Sequence, residues 1–209
     1  MKAKLIINAD DYGMLPLFNK GILELVQKNI VTSMSVLIAR KHIKPEKILH
    51  FKNISVGLHL ELKEKTSTKE IENQIRKFKK RLNQLPSHLD GHQHCHLTKN
   101  NLSKVIKVAK KYNLPVRSRF DEDRKIIKKA GIKTPNQFIS WHPSRKEKMF
   151  QDLKNIKSGI VELACHPGYY DKKCRYPYNK QHEEELKILK GIEFKKAIGK
   201  LKLANYKKI

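Results

Sequence analysis

The chain has 209 residues, enough for one domain with a sizeable core and too few to expect two independent ones. Hydrophobic residues make up 39% of it, which excludes an intrinsically disordered protein. Its 46 Lys and Arg outnumber 20 Asp and Glu, and a net charge of +26 attracts nucleic acid, anionic lipid or acidic saccharide. We therefore expect one domain over residues 1–209 and keep an anionic partner as an alternative.

The basic residues are interpreted first as solvated helix faces. They fall in runs such as KFKKR and KVAKKY, which do not alternate with aromatic residues as nucleic-acid-binding segments do. The opening MKAKLIINADDYG is typical of neither a secretory signal nor a membrane span, and three cysteines without a CxxC pair favour a reducing compartment. We expect a cytoplasmic protein without membrane or nucleic-acid partners.

Short β-branched runs alternate along the chain with longer segments of helical period. This is the pattern of repeated βα units that build a parallel sheet. The predicted strands, in chain order, are KLIINA, TSMSVLI, SVGLHL, HLDGHQH, PVRS, QFISW and VELACH. The pattern predicts an α/β fold with seven parallel strands.

Amphipathic helices are predicted between these strands. Residues 15–29 and 102–112 carry apolar side chains three and four positions apart, which gives each helix one buried stripe. A capping box, in which a hydroxyl and a carboxylate satisfy the free N–H groups of a helix start, is predicted twice. The two pairs are Ser67 with Glu70 and Ser144 with Glu147.

Polar side chains follow several predicted strands at the carboxyl end, where the catalytic groups of parallel α/β folds gather. They are Asp10 and Asp11 after KLIINA, His59 in SVGLHL, His92 and His94 in HLDGHQH, and His166 in VELACH. Because side chains alternate along a strand, we expect the alternate residues from Asp90 to His96 to share one face. A compact metal site takes about three protein ligands, so one of these imidazoles is predicted to bind metal while its neighbours shape the pocket.

A histidine near a strand end is more often a hydrogen-bonded polar residue than a metal ligand. The joint pattern is harder to explain in that way. Adjacent carboxylates at one strand end and histidines at three others are accounted for most simply by a bound cation that compensates their charge.

The motifs NADDYGM, NKGILEL, VTSMSVL, GLHLEL, SHLDGHQHCH and LACHPGYYD occur in this order over nearly the whole chain. Together they resemble the YdjC-like carbohydrate deacetylases, relatives of the polysaccharide deacetylases that include chitooligosaccharide deacetylases. The resemblance implies a distorted seven-stranded (β/α) barrel of the glycoside hydrolase/deacetylase type. It also implies a hydrolase that removes N-acetyl groups from amino sugars or short N-acetylated oligosaccharides, with a homodimer as the expected assembly.

The same resemblance assigns roles residue by residue. Asp11, His59 and His92 match the metal ligands, Asp10 the catalytic base, and His166 the late histidine that acts as general acid or orients it. The family is commonly assigned Mg²⁺, whereas two imidazoles and one carboxylate also suit Zn²⁺. Only one of two adjacent carboxylates easily faces the metal along a strand, which agrees with Asp11 as ligand and Asp10 as base.

Three further residues are candidates for substrate binding. Arg117, at a predicted strand end, would hold either a carboxylate of the site or a substrate oxygen. Trp141 offers an aromatic face for a sugar ring or for the core, and Tyr169 would line the mouth, where a nearby backbone N–H would stabilise an oxyanion.

Two other functions stay open. Extra ligands at His94 and His96 would serve a metal-dependent phosphoesterase, and the basic surface would serve a module that binds nucleic acid or anionic polysaccharide. The segment ELKEKT after His59 is also shorter than the corresponding loop of many relatives, so we expect a more open cleft.

Overall fold

The structure, a computed structural model, describes residues 3–141 and 145–209. Within these residues seven strands form one sheet, and all of their pairings are parallel. The strands are β1 Lys4–Tyr12, β2 Ser33–Val36, β3 Ser55–Leu60, β4 Leu89–Gly91, β5 Gln137–Ser140, β6 Ile160–Cys165 and β7 Lys202–Ala204. Their order is β4-β3-β2-β1-β6-β5, with β7 also pairing with β1.

Helices follow most of the strands and bury one apolar stripe each. They are α1 Pro16–Gln27, α2 Pro45–Leu49, α3 Thr68–Leu82, α4 Leu102–Tyr112, α5 Asp121–Lys129, α6 Lys146–Lys154, α7 Asn179–Lys190 and α8 Ile192–Ile198. Short 3-10 helices cover His92–Leu97 and Tyr206–Lys208. None of the helices in the described ranges is long and apolar enough to cross a membrane.

The sheet is a curled, open half-barrel, and the predicted α/β class with seven parallel strands is confirmed. One strand differs from the prediction. The segment PVRS makes only a single parallel bridge, between Val116 and Leu89, because the N–H of Val116 donates to the carbonyl of Lys133 rather than continuing a ladder. The seventh strand is β7, a three-residue segment too short and too polar to be predicted.

The predicted strand HLDGHQH is also wrong beyond its fourth residue, Gly91. Strand β4 ends at Gly91, and the chain turns into a 3-10 helix in which Gln93 and His94 have φ values of 51° and 57°. The expected alternation therefore stops after Asp90. His96 is buried instead, with Nε2 3.2 Å from the carbonyl oxygen of Arg117.

The helix predictions are largely confirmed. The predicted helix over 15–29 is observed as α1, and residues 102–112 form α4. Ser67 begins α3 with a complete capping box, in which its N–H donates to Glu70 Oε2 at 2.6 Å. Ser144 of the second predicted box lies outside the described residues.

Candidate active site

The carboxyl ends of β1, β3 and β6 and the turn after β4 surround a cavity of about 550 Å³. The five residues predicted as metal ligands or proton-transfer groups all line it: Asp10, Asp11, His59, His92 and His166. Three of them are buried, His166 is half-buried, and His92 is partly exposed. The structure thus brings together side chains that are up to about 150 positions apart in the chain, as the parallel topology requires.

Asp10 and Asp11 both face this cavity, although neighbours on a regular strand point to opposite faces. The backbone accounts for this departure from regular alternation. The register of β1 against β2 shifts between Ala9 and Tyr12, and Asp11 has a left-handed φ of 66°. Such a conformation costs about 1–3 kcal/mol in a residue with a side chain, and it turns the second carboxylate into the site.

Asp11 lies between two imidazoles. Its Oδ1 is 2.9 Å from His92 Nδ1 and 3.3 Å from His59 Nε2. Ligand atoms that are each about 2.0–2.1 Å from a tetrahedral zinc lie roughly 3.3 Å apart, so both separations from Asp11 Oδ1 are close to those of ligands that share a cation. Burial alone would raise the pKa of Asp11, but the hydrogen bonds from His59 and His92 hold that pKa well below its ordinary value.

His59 is held from behind by Asp90. Its Nδ1 lies 2.9 Å from Asp90 Oδ1, which leaves Nε2 directed at Asp11. A carboxylate behind a metal-binding histidine fixes its tautomer and ring orientation. Burial lowers the pKa of His59, yet the charges of Asp90 and Asp10 outweigh it and raise that pKa well above the ordinary value.

Asp10, His59 and Asp90 form a second compact group of possible ligands. This group suits a cation less well, because Asp10 and Asp90 are both paired with the guanidinium of Arg117. Within this group, Nδ1 of His59 is also already engaged by Asp90 Oδ1 at 2.9 Å. Among the described residues, Asp11, His59 and His92 are therefore the better ligand set.

Arg117 lies beneath the cavity and is fully buried. Its Nη1 donates to Asp10 Oδ2 at 2.7 Å and its Nη2 to Asp10 Oδ1 at 2.8 Å, which is a bidentate pair. Nη2 also lies 2.9 Å from Asp90 Oδ2. Burial would raise the pKa of Asp10, but Arg117 holds it below the ordinary value. Of the two partners considered for Arg117, the structure shows the site carboxylates.

A second layer of polar residues supports this pair. Asn8 Nδ2 donates to Asp10 Oδ1 at 2.7 Å, and Ser35 Oγ donates to Asp90 Oδ2 at 2.6 Å. Glu162, in the middle of β6, accepts from Arg117 Nε at 2.9 Å and Nη2 at 2.7 Å. Sequence patterns did not assign roles to Asp90 or Glu162, although a single carboxylate within the apolar run VELAC signals a buried charge that needs a partner.

His166 stands on the opposite side of Asp10. Its Nε2 is 3.7 Å from Asp10 Oδ2, and its Nδ1 is 3.7 Å from Oε2 of Glu185 on α7. Burial lowers the pKa of His166, but Glu185 outweighs it and raises that pKa to about 9. The imidazole is therefore protonated at neutral pH. Burial in turn raises the pKa of Glu185.

The charge balance at the centre of the site is negative. Asp10, Asp11, Asp90 and Glu162 are all buried, and Arg117 is the one buried side chain in the described ranges that carries a permanent positive charge beside them. Buried carboxylates without compensation are costly. A divalent cation at the Asp11 end would supply the missing charge, and the residues present fit it.

The walls of the cavity are formed by aromatic and polar side chains. Trp141 lines it and is almost fully buried, with no hydrogen-bond partner for Nε1 in the described residues. Tyr176, Tyr178 and Gln181 line it too, and no sequence pattern pointed to them. Tyr169 does not line it, because its hydroxyl bonds to Glu24 on α1.

Comparisons with known proteins point to one family. A family model described as YdjC-like protein matches residues 4–69 and 65–200. A carbohydrate deacetylase of Thermoanaerobacter pseudethanolicus is 30% identical over 227 positions, which cover 88% of this chain and 90% of that protein. One from Clostridium beijerinckii is 28% identical over 251 positions, covering 99% of this chain and 100% of that protein, so that relative carries insertions.

Solved structures share the fold. The structure of a candidate cellobiose-phosphate cleavage protein from Enterococcus faecalis V583 has a TM-score of 0.85 and 26% identity, covering 100% of this chain and 99% of the other. A family 4 carbohydrate esterase from Streptomyces lividans has a TM-score of 0.58 and 12% identity, covering 97% and 91%. At that identity the second likeness concerns the fold alone.

Proposed function

The chain belongs to the YdjC-like family, and we propose that it is a metal-dependent carbohydrate N-deacetylase. Its substrate would be an amino sugar or a short oligosaccharide that carries an N-acetyl group. One observation carries the proposal: a set of three metal-type ligands faces two separate proton-transfer groups across a single cavity. Amide hydrolysis needs these three functions, namely an activated water, a base and an acid.

Asp11, His59 and His92 would hold the cation. A bound divalent metal supplies a Lewis acid that lowers the pKa of a water molecule from about 16 towards 7 and polarises the amide carbonyl. The contribution of the chain is to present one carboxylate oxygen and two imidazole nitrogens on one side of the cavity. Asp90 would keep His59 in the tautomer that leaves Nε2 free.

Asp10 would act as the base that takes the proton of the attacking water. Its Oδ1 already accepts from Asn8 and Arg117, whereas Oδ2 accepts from Arg117 alone. Oδ2 is also the oxygen nearest His166. We assign the proton-accepting role to Oδ2, since it keeps a lone pair for the cavity.

His166 would act as the general acid. Deacetylation turns the amide nitrogen into an amine leaving group, which has to receive a proton as the C–N bond breaks. His166 is protonated at neutral pH because Glu185 stabilises its charge. Water and amide are thereby converted into acetate and a free amino sugar.

The cavity wall supports a saccharide as substrate. Trp141 and Tyr176 present aromatic surface beside polar groups, as sugar rings with two faces and several hydroxyls require. Direct substrate contact by Arg117 is left out of the proposal, because Arg117 is buried beneath Asp10. The proposed contact with Tyr169 would need the loop after His166 to move.

The test is to incubate metal-loaded protein with a diacetylated chitin disaccharide and to follow the mass of the sugar and the acetate released. We expect the loss of one acetyl unit, and no loss with Asp10→Asn. Release of phosphate from a nitrophenyl phosphate ester instead would favour the phosphoesterase. No lysine or arginine is among the described residues that line the cavity, which speaks against a phosphate substrate there.

Retention on heparin that is lost with salt and survives His92→Ala, without acetate release, would favour the basic binding module. Elemental analysis of protein purified without added metal would decide between Mg²⁺ and Zn²⁺. The homodimer and the cytoplasmic location stay predictions.

A further inference from the structure

The C-terminal segment after α8 runs back under the half-barrel. Strand β7 pairs with β1, and the Nδ2 of Asn205 donates to the carbonyl of Asn53 at 3.0 Å. The N–H of Tyr206 donates to Ser55 Oγ at 3.1 Å. These bonds hold the side chain of Tyr206 inside the barrel, where only 1% of it is exposed.

The hydroxyl of Tyr206 begins a continuous line of buried contacts that ends at the proposed base. It donates to Glu162 Oε2, and the other oxygen of Glu162 accepts from Arg117 Nε and Nη2. Arg117 then holds both oxygens of Asp10. All four side chains are at most 3% exposed.

We infer that Tyr206 and Glu162 are positioning residues for Asp10 and act on it through Arg117. The inference rests on the proposed function, because it takes Asp10 as the base. Tyr206, which follows β7 near the start of β1, would thereby influence Asp10 at the carboxyl end of the same strand.

The reason lies in how one guanidinium is shared. Arg117 faces three carboxylates, and Asp10 and Asp90 both bind at its Nη end. Glu162 is the carboxylate that binds the Nε edge, so it fixes the rotation of the guanidinium plane. A bidentate pair transmits that orientation to Asp10, and misplacing a reacting group by about 1 Å can cost roughly 100-fold in rate.

Tyr206 keeps Glu162 in this position. Without its hydroxyl, Glu162 Oε2 would be a buried acceptor that has lost its partner, at a cost of about 1–3 kcal/mol. The carboxylate would relieve that cost by rotating or by taking up a proton, and either change loosens its hold on Arg117.

Packing alone does not need the hydroxyl. The ring of Tyr206 stacks on His88 with centroids 3.7 Å apart and planes 8° from parallel, and a phenylalanine ring would do the same. Tyr206→Phe therefore separates the contact with Glu162 from the packing role of the ring.

The experiment compares Tyr206→Phe, Glu162→Gln and the double variant on the diacetylated chitin disaccharide. We expect Tyr206→Phe to lower kcat about tenfold, with KM and bound metal unchanged. We expect the double variant to match Glu162→Gln alone, since contacts in one line are not additive. Phe194→Leu, a buried change in α8, controls for stability and should leave kcat unchanged.

Wild-type kcat in Tyr206→Phe, or losses in the double variant that multiply, would overturn the inference. Crystal structures of the wild type and Tyr206→Phe provide a readout that does not depend on turnover or on Glu162→Gln folding. We expect the variant to lose one of the two Arg117–Asp10 hydrogen bonds. An unchanged pair would refute the positioning role, whereas a wild type that releases no acetate would refute the proposed function alone.

Discussion

The carboxylates at the two ends of the cavity floor have different partners. At one end, Asp10 and Asp90 meet a guanidinium that the chain itself supplies, and Arg117 bonds to both. At the other end, the described side chains that pair with Asp11 are the imidazoles of His59 and His92. The first end is complete within the chain, and the second depends on a proton or a cation.

This difference shows where the protein provides for a ligand. A buried guanidinium fixes the orientation of the carboxylates that it binds in a bidentate manner. Those carboxylates then keep few free lone pairs with which to bind a metal. Imidazoles lose their protons easily and bind metals as neutral ligands. We therefore place the proposed cation at the Asp11 end, while Arg117 at the other end holds the carboxylate of Asp10, the proposed base, in one orientation.

Removing a ligand from the Asp11 end should have the largest effect. We expect His92→Ala to lose both bound metal and measurable turnover, because only two ligands of the set remain. Metal content by elemental analysis and acetate release would be measured together. The matched control is His94→Ala in the same 3-10 helix, which should keep its metal. Activity of the metal-free wild type would contradict the proposal that the Asp11 end needs a cation.

Neutralising the proposed base, Asp10, at the Arg117 end should lower the rate without changing the metal content. We expect Asp10→Asn to lower kcat by roughly 10²–10⁴-fold, the range of general base contributions, with unchanged metal content. Asp152→Asn on the surface of α6 controls for the substitution type and should keep wild-type kcat. Full turnover in Asp10→Asn would remove Asp10 from the mechanism.

Removing the acid should have a somewhat smaller effect, because a leaving amine can also draw a proton from water. We expect His166→Ala to lower kcat by about 100-fold. Glu185→Gln gives the finer measurement. Activity that needs protonated His166 should fall as pH rises through its pKa of about 9, and without Glu185 that fall should move to lower pH. An unmoved alkaline limb would contradict the assignment.

Much of the site could be predicted from local patterns. Asp10, Asp11, His59 and His166 follow or end short apolar strands, and parallel strands bring such ends together. What the strand pattern could not supply was the turn at Gln93, where left-handed conformations occur without any glycine to signal them. The side chain of His92 still reaches Asp11, but from a 3-10 helix and not from a strand.

The supporting residues were missed because their partners are distant in sequence. Glu185 lies on the buried stripe of α7 with His182, Leu186 and Leu189, at spacings that mark a carboxylate on an inward face. Tyr206 belongs to a tail whose short strand is set by pairing with β1. The available signal was a charged or polar residue on an apolar stripe. Such a residue implies a buried hydrogen-bonding partner, but the sequence pattern does not identify which residue that partner is.

The smallest expected effect concerns protons and tests the two ends together. In the metal-free protein the charges of Asp90 and Asp10 outweigh burial and raise the pKa of His59, so its ring holds a proton more tightly than a free imidazole does. A raised histidine pKa stabilises the fold fully below about 6.5, and this stabilisation is lost as pH rises through the folded-state pKa. A cation has to displace that proton, so its affinity should fall about tenfold for each unit that pH decreases below this pKa.

Calorimetric titration of the metal in two buffers of different ionisation enthalpy, at about pH 6, 7 and 8, would count the protons released. Affinity that is constant over this range, with no proton release, would mean that the Asp11 end is as complete without a cation as the Arg117 end.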